Sequence, residues 1–248
     1  MSDIRALISG FNQFQQEYQR DRAGKFEALL DRGQSKGQNK GETPEIMMIA
    51  CCDSRVDPAI ITNSESGDIL VVRNIANLVP PYSESGAYRE IHAAIEYGVC
   101  YLNVKHIIVM GHSRCGGIRS LMTRMLDDFD PSHALDEWTM IAEPIARKVL
   151  SADMVSEEIL SADELDDEMS DADILDEKVC ACSRQVLNLC LENLKTYPWV
   201  EGALKNERLN LHGWYFNLSS GALEVLEPES GEFSLLSQID SLDEQGVA

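Results

Sequence analysis

Apolar residues recur along this chain with more than one period. From Ile4 to Leu30 they fall at Leu7, Phe11, Phe14, Phe26 and Leu29, a spacing that predicts an amphipathic helical arm. The polar, glycine-bearing stretch DRGQSKGQNKGET at 31–43 reads as a connector. Three short and nearly continuous apolar runs follow, at Ile46–Ala50, Ile69–Val72 and His106–Met110, and Tyr88–Leu102 between the last two has helical spacing. Strands that are apolar without alternation are buried on both faces. Interleaved with helices, they predict an α/β fold with a mostly parallel central sheet flanked by helices. The stretch LNLHGWYFNL at 209–218 alternates instead. With the Ser-Ser-Gly turn after it and Leu223–Leu226 beyond, it predicts a strand and a short antiparallel partner at the C-terminal end. The organisation expected is an arm and connector over 1–42, an α/β domain over 43–226, and an acidic tail over 227–248 in which only FSLL is apolar.

Composition narrows the classes of function. A chain of 248 residues with 44% hydrophobic content can bury a real core. Its net charge of −21 argues against nucleic acid and against anionic membrane surfaces as partners. The charge is uneven, however: residues 153–177 hold 12 acids and no base, which leaves −9 for everything else and room for a local anion site. This block reads as an insertion, either short amphipathic helices or an acidic loop, with capping-box-like starts at Ser161-x-x-Glu164 and Ser170-x-x-Asp173. No stretch reaches the roughly 20 apolar residues of a membrane span. The opening MSDIRALISGFNQFQQEY lacks the basic region and apolar run of a signal peptide, so a cytoplasmic location is expected. Seven cysteines, an odd number, suit free thiols or metal ligands better than a disulfide framework.

Parallel sheets place their sites beyond the carboxyl ends of the strands, and two polar motifs lie there. One is Cys51-x-Asp53-x-Arg55 after the first run; the other is GHSRCGG after the third, with His112 and Cys115. Thiolate and imidazole hold a borderline-soft tetrahedral ion such as zinc, and Cys51, His112 and Cys115 would leave a fourth position for water or for Asp53. Spacing alone leaves plainer readings open. A cysteine at a strand end is also a small buried hydrophobe, and His-x-x-Cys-Gly-Gly is also a turn into a helix. Strand alternation points Cys52 away from Cys51, and Cys52, Cys100, Cys180, Cys182 and Cys190 are assigned to packing.

These motifs carry a resemblance. CCDSRVDP at 51–58, VVRNIANLVPP at 71–81, AAIEYGV at 93–99, VKHIIVMGHSRCGGI at 104–118, NLKTYPWV at 193–200 and LHGWYFNLSSG at 211–221 resemble, in order, the beta-class carbonic anhydrases of the plant-like branch. The resemblance implies one zinc per subunit, held by Cys51, His112 and Cys115, and the interconversion of carbon dioxide and bicarbonate by a zinc-activated hydroxide. It implies that Arg55 pairs with Asp53, keeping the carboxylate off the metal so that it can orient the hydroxide. Leu70, Ile75 and Tyr97 match the apolar or aromatic surround of the CO2 site, and Gly116 opens a helix whose N–H groups could face an anion. It implies an obligate homodimer, or a dimer-based tetramer or larger, with the arm laid on the neighbouring subunit. A second branch holds inhibitory bicarbonate with a tryptophan, arginine and tyrosine set. The first 137 residues here contain no tryptophan, so that device is expected to be missing.

The chain also departs from the pattern. Glu42 stands where a glutamine is expected, and an ionised carboxylate accepts but cannot donate to a carbonate oxygen, unless Gln38 fills the place. Tyr88-Arg89-Glu90-Ile91-His92 replaces small residues, and His92 reads either as a proton relay or as a helix-face or subunit-contact residue. These departures keep two alternatives to the hydratase in view: a non-catalytic zinc-stabilised scaffold, and a hydrolase of CS2 or COS.

Overall fold

The computed structural model describes residues 4–22, 24, 43–84, 88–126, 133–151, 170–228 and 230–236. Phe26 and Leu29 of the arm, Gln38 and Glu42 of the connector, the acidic block as far as 169 and the tail beyond 236 lie outside the described residues. Six strands form one sheet in the order β2-β1-β3-β4-β5-β6. They are β1 (Ile46–Cys51), β2 (Ile69–Asn74), β3 (His106–His112), β4 (Asn210–Phe216), β5 (Leu223–Leu226) and β6 (Phe233–Leu235). The first four are mutually parallel, and β5 and β6 extend the sheet antiparallel. The tail residues Phe233–Leu235 thus form a strand of their own, beyond the single partner strand expected from the sequence.

Burial on both faces explains why β1 and β3 are apolar throughout. On one face Met47, Ile49 and Cys51 join Ile107, Val109, Leu187 and Tyr215 in the main core; on the other Met48 and Ala50 pack with Val56, Ile108 and Met110. Strands buried in this way cannot alternate.

The helices follow their local chemistry. α1 (Ile4–Glu17) runs into a π-helical turn at Tyr18–Arg22 and buries none of its residues in this chain, with Ile4, Leu7, Ile8, Phe11 and Phe14 exposed. Asp57 caps α2 (Pro58–Thr62) by accepting from the N–H groups of Ala59 and Ile60, with Pro58 at the first helical position. α3 (Arg89–Glu96) passes into a π-helical segment, Tyr97–Leu102, and α4 (Gly116–Leu126) starts directly after Cys115. α5 (Ala134–Thr139) and α6 (Glu143–Ser151) lead to α7 (Asp171–Lys195), and α8 (Pro198–Lys205) precedes β4.

α7 corrects the reading of its region. Ser170 and Asp173 form the capping box expected there, but they open a single helix of 25 residues. Asp171–Glu177, read as the end of an acidic insertion, are its first turns, where carboxylates suit the positive end of the helix dipole. Val179, Cys182, Val186, Leu187, Cys190 and Leu194 form its buried stripe, laid across β3 and β4. Cys180 and Cys182 lie within this helix. Cys182 and Cys190 are packed as expected, whereas Cys52 and Cys100 are exposed. Among the described residues, no helix is long and apolar enough to cross a membrane.

One histidine pair ties β3 to β4. Nδ1 of His106 and Nε2 of His212 are 3.1 Å apart, a single N–H···N bond between neutral rings. Burial, and then the neighbouring His106, push His212 from the ordinary 6.5 down to about 4. Burial also lowers His106, against the pull of Glu45 and with the push of Lys105. The folded chain therefore binds fewer protons than the unfolded chain across this window. Stability that is present above 6.5 is lost as pH falls through about 4. Urea unfolding midpoints should consequently fall more steeply on acidification in the parent than in His212→Phe. Parallel pH dependences would show that the pair does not couple to folding.

Candidate metal centre

Cys51 ends β1 and His112 ends β3, and these two strands are neighbours in parallel register, with Ala50 opposite Met110. From β1 the chain moves to β2 on one side, and from β3 to β4 on the other. The crevice between the two strand ends is thus the switch point of the sheet, the place where an open α/β fold leaves room for a ligand. Cys115 comes back to it through the turn Ser113-Arg114. Arg114 takes a left-handed φ of 55°, and Ser113 is anchored to the end of β4. That anchor has two parts: the Ser113 N–H donates to the Phe216 carbonyl at 3.0 Å, and the Leu218 N–H donates to Ser113 Oγ at 2.9 Å.

Cys51, His112 and Cys115 are all buried, and their ligand atoms lie within 4.8 Å of one another, the single such cluster among the described residues. His112 Nδ1 donates to the Ser113 carbonyl at 2.9 Å, which leaves Nε2 as the available lone pair. That buried Nε2 has no hydrogen-bond partner. The two sulfurs are 4.0 Å apart. Two zinc–sulfur bonds of about 2.3 Å at a tetrahedral angle would set them roughly 3.8 Å apart, so the spacing fits the ion.

Electrostatics point the same way. The hydrogen bond from Cys115 holds the Cys51 thiol well below the ordinary thiol range against the cost of burial, with His112 and the Asp53 N–H assisting. Its bond to Cys51, together with burial, pushes Cys115 well up, although the N–H groups of Ile118 and Gly117 oppose this. Without a cation the pair holds one thiolate; a divalent cation is what allows both to ionise.

Asp53 and Arg55 are brought together as the motif implied. Arg55 Nε donates to Asp53 Oδ1 at 3.0 Å, Nη2 to Oδ2 at 2.7 Å, and the Arg55 backbone N–H to Oδ1 at 2.9 Å. The Arg55 side chain, first among the causes, holds the Asp53 carboxyl well below the usual carboxylate range. Nη2 also donates to the Arg114 carbonyl at 3.3 Å, so the guanidinium joins the two ligand-bearing loops.

The remaining candidates are spread more widely. Gly116 is exposed, and a Cβ there would meet nothing within 4 Å. Gly117 is the constrained glycine: a Cβ would lie 2.6 Å from Ile75 Cγ2 and 3.1 Å from the Ala76 Cβ. Ile75 therefore rests against the start of α4, next to the cluster. Its position depends on a strained turn in which Ala76 and Asn77 have φ of 61° and 48°. The turn is pinned by Trp138 Nε1 donating to the Ile75 carbonyl at 2.7 Å and by the Val79 N–H donating to Cys190 Sγ at 3.3 Å.

Leu70 and Tyr97 lie elsewhere in the same chain. Leu70 is in register with Met47, four residues before Cys51, and both it and Met47 flank Gly98 beside Tyr97. His92 is buried on α3 among aromatic rings, 5.6 Å from Tyr82 and 5.2 Å from Tyr197, and burial lowers its pKa. These surroundings are those of core packing.

Sequence reasoning passed over Arg73 and Ser113. Both stand inside the quoted motifs VVRN and GHSRC, but nothing in composition or spacing marks them, because their partners are backbone groups of other segments. A cavity of about 300 Å3 also lies beside the site, lined in part by Arg73, Asn74, Ile75, Tyr88, Glu90 and Trp138. It does bring a tryptophan, an arginine and a tyrosine together. Four of the five Arg73 N–H groups are nevertheless engaged elsewhere, and Asn74 Oδ1 and Glu90 offer an anion only acceptors.

Three protein ligands and an open position at the switch point of a parallel sheet define a zinc-site α/β protein of the catalytic kind. A carbonic anhydrase family model matches residues 46–223. Beta carbonic anhydrase 5 of Arabidopsis thaliana, a chloroplastic protein, is 36% identical over 195 residues, covering 78% of this chain and 58% of its own length. The chain thus spans somewhat over half of that relative. Among solved structures, the beta-carbonic anhydrase CcaA superposes with a TM-score of 0.75 at 30% identity, covering 94% of this chain and 98% of the other. One of two tetrameric beta-carbonic anhydrases from Sordaria macrospora gives 0.66 at 25%, covering 93% and 97%. The chain belongs to the beta-carbonic anhydrase family, and Cys51, His112 and Cys115 are its zinc-ligand set, one site per subunit.

Metal analysis should return about one zinc per chain, and Cys115→Ser should lower that sharply, because a hydroxyl is a poor replacement for thiolate. A folded protein that takes up no zinc on reconstitution would refute the site. Arg55→Ala should keep its metal yet lose roughly a hundredfold in turnover, since a misplaced orienting group costs about that much. The electronic spectrum of the cobalt-substituted variant should then differ from that of the parent.

Proposed function

We propose that this chain catalyses the reversible hydration of carbon dioxide to bicarbonate and a proton. The observation that carries this reading is the three-point hold on Asp53 beside a buried Cys-His-Cys cluster. A scaffold would need the cluster for stability, but it would have no use for a carboxylate held ionised and turned onto an arginine. Bound at the cluster, zinc supplies Lewis acidity that lowers the pKa of water at its open position. The protein's part is orientation. Asp53, ionised and fixed by Arg55, accepts a hydrogen bond at the open position and selects which lone pair faces the substrate. Arg55 keeps the same carboxylate from taking that position itself. Ile75, apolar and propped on Gly117, suits a nonpolar gas on one wall.

Leu70 and Tyr97 belong to this reading only in an assembly. Along a strand, four residues span about 13 Å, so within one chain Leu70 is remote from Cys51. A second subunit would bring the pair to the site, in a homodimer or in a dimer-based tetramer of the kind named for the Sordaria macrospora relatives. The apolar face of α1 supports the same assembly, because Leu7 and Phe11 stay largely exposed among the described residues. A cytoplasmic location completes the proposal and is consistent with the seven free cysteines.

Stopped-flow hydration assays test the reading. Two thiolates and a neutral imidazole leave the zinc unit formally neutral, so bound water is acidified less than it is by three histidines. The rate should therefore rise with pH through a transition above about 7. Absence of zinc-dependent turnover over about pH 6.5 to 9 would favour a scaffold, and turnover of CS2 or COS without CO2 would favour the hydrolase.

A further inference from the structure

The loop from Cys51 to Asp57 has to hold three site residues, Cys51, Asp53 and Arg55, while it joins a buried strand to a five-residue helix. Its carbonyls point towards one side chain. Arg73, on β2, donates from Nε to the Cys51 carbonyl at 3.0 Å and from Nη2 to the carbonyls of Asp53 at 2.7 Å and Val56 at 2.8 Å. Its Nη1 pairs with the Asp57 carboxylate at 3.1 Å, the same carboxyl group that caps α2. A single planar guanidinium thus gathers four acceptors from seven consecutive residues, a task for which its fixed fork of donors is suited and a point-charge ammonium is not.

Arg55, by contrast, is anchored to the protein only through Asp53 and the Arg114 carbonyl, and its side chain is 53% exposed. That bidentate pair orients the carboxylate against the guanidinium, but both groups ride on the same short loop, so the pair does not fix where that loop lies. The backbone from which Asp53 and Arg55 project must therefore be set by something else. Between Cys52 and Val56 the backbone bonds are those from the Cys52 N–H to the Asn74 carbonyl at 2.9 Å and from the Val56 N–H to the Asp53 carbonyl at 3.1 Å.

We infer that Arg73 is a positioning residue for the site: by clamping the Cys51–Asp57 loop it sets the direction of Asp53 and so keeps the Asp53–Arg55 pair, and not the metal, as the partner of that carboxylate. The inference rests on the hydratase reading for its consequence, but the clamp itself can be measured without metal or substrate. In the full-length protein, Arg73→Ala and Arg73→Lys should lower the amide exchange protection of Arg55 and Val56 by at least about tenfold, while amides of β3 and α7 keep theirs. The lysine variant retains the charge and the ion pair to Asp57, so it separates the clamp from the charge and serves if the alanine variant folds poorly. Cobalt-substituted Arg73→Ala should bind one equivalent of metal yet show a changed visible spectrum, as Asp53 moves onto the ion. Millimolar guanidinium should move both the spectrum and the hydration rate back towards the parent, a response that a general loss of stability would not give. Unchanged loop exchange and an unchanged spectrum in both variants would overturn the inference, as would a uniform loss of protection across the whole sheet. If the parent itself binds cobalt but does not hydrate CO2, the hydratase reading fails while the exchange result still decides the clamp.

Discussion

Two buried thiols 4.0 Å apart cannot both give up their protons unless a cation lies between them. The rest of the site is arranged around that constraint. Burial removes water that would otherwise share the charge, and the lone pair of His112 is left free by committing its other nitrogen to the Ser113 carbonyl. The sheet supplies the coincidence in space. β1 and β3 are neighbours in register, so residues 61 positions apart end their strands side by side, and the α4 turn returns Cys115 to the same point. Because the fold changes direction there, helices do not close over the crevice.

The surroundings divide into a stiff side and an open side. On the stiff side Arg73 holds the Cys51–Asp57 loop, Ser113 is tied to the end of β4, and the strained Ile75–Asn77 turn is pinned by Trp138 and Cys190. Gly117 permits the contact between that turn and α4, because any side chain there would collide with Ile75. On the open side Gly116 and the Arg55 side chain are exposed. A metal centre held rigidly by its own subunit can thus be completed by a neighbour without depending on it for ligand geometry.

Much of this was legible in the sequence, for identifiable reasons. β1 and β3 announced themselves because a strand covered on both faces has no polar positions to confuse with a helix, and β2, although it lies at the sheet edge with no fully buried residue, is apolar over Ile69–Val72. The Cys51, His112 and Cys115 set could be read because metal chemistry restricts the residue types and the strand ends supply the place. α7 was misjudged at its start because its first turns carry carboxylates continuous with the acidic block, and composition cannot tell a solvated face from an insertion. β6 was missed because three residues are too few for a period to show. Cys52 and Cys100 were assigned to packing, yet Cys52 stands just past the end of β1, Cys100 lies in the π-helical segment, and both are exposed.

By itself, then, the sequence determined the parallel core, the donor set and the Asp53–Arg55 motif, because each depends on side-chain chemistry at short or periodic spacing. Tertiary structure alone decided which of the several arginines near the site carries structural weight, which glycine is sterically required, and that His92 sits in an aromatic cluster. Each of these depends on backbone carbonyls, ring faces and close approaches supplied by distant segments. A hydrogen bond from Arg73 to the carbonyl of Cys51 leaves no mark on the identity of either residue's neighbours, since every residue in the loop offers the same carbonyl whatever its side chain.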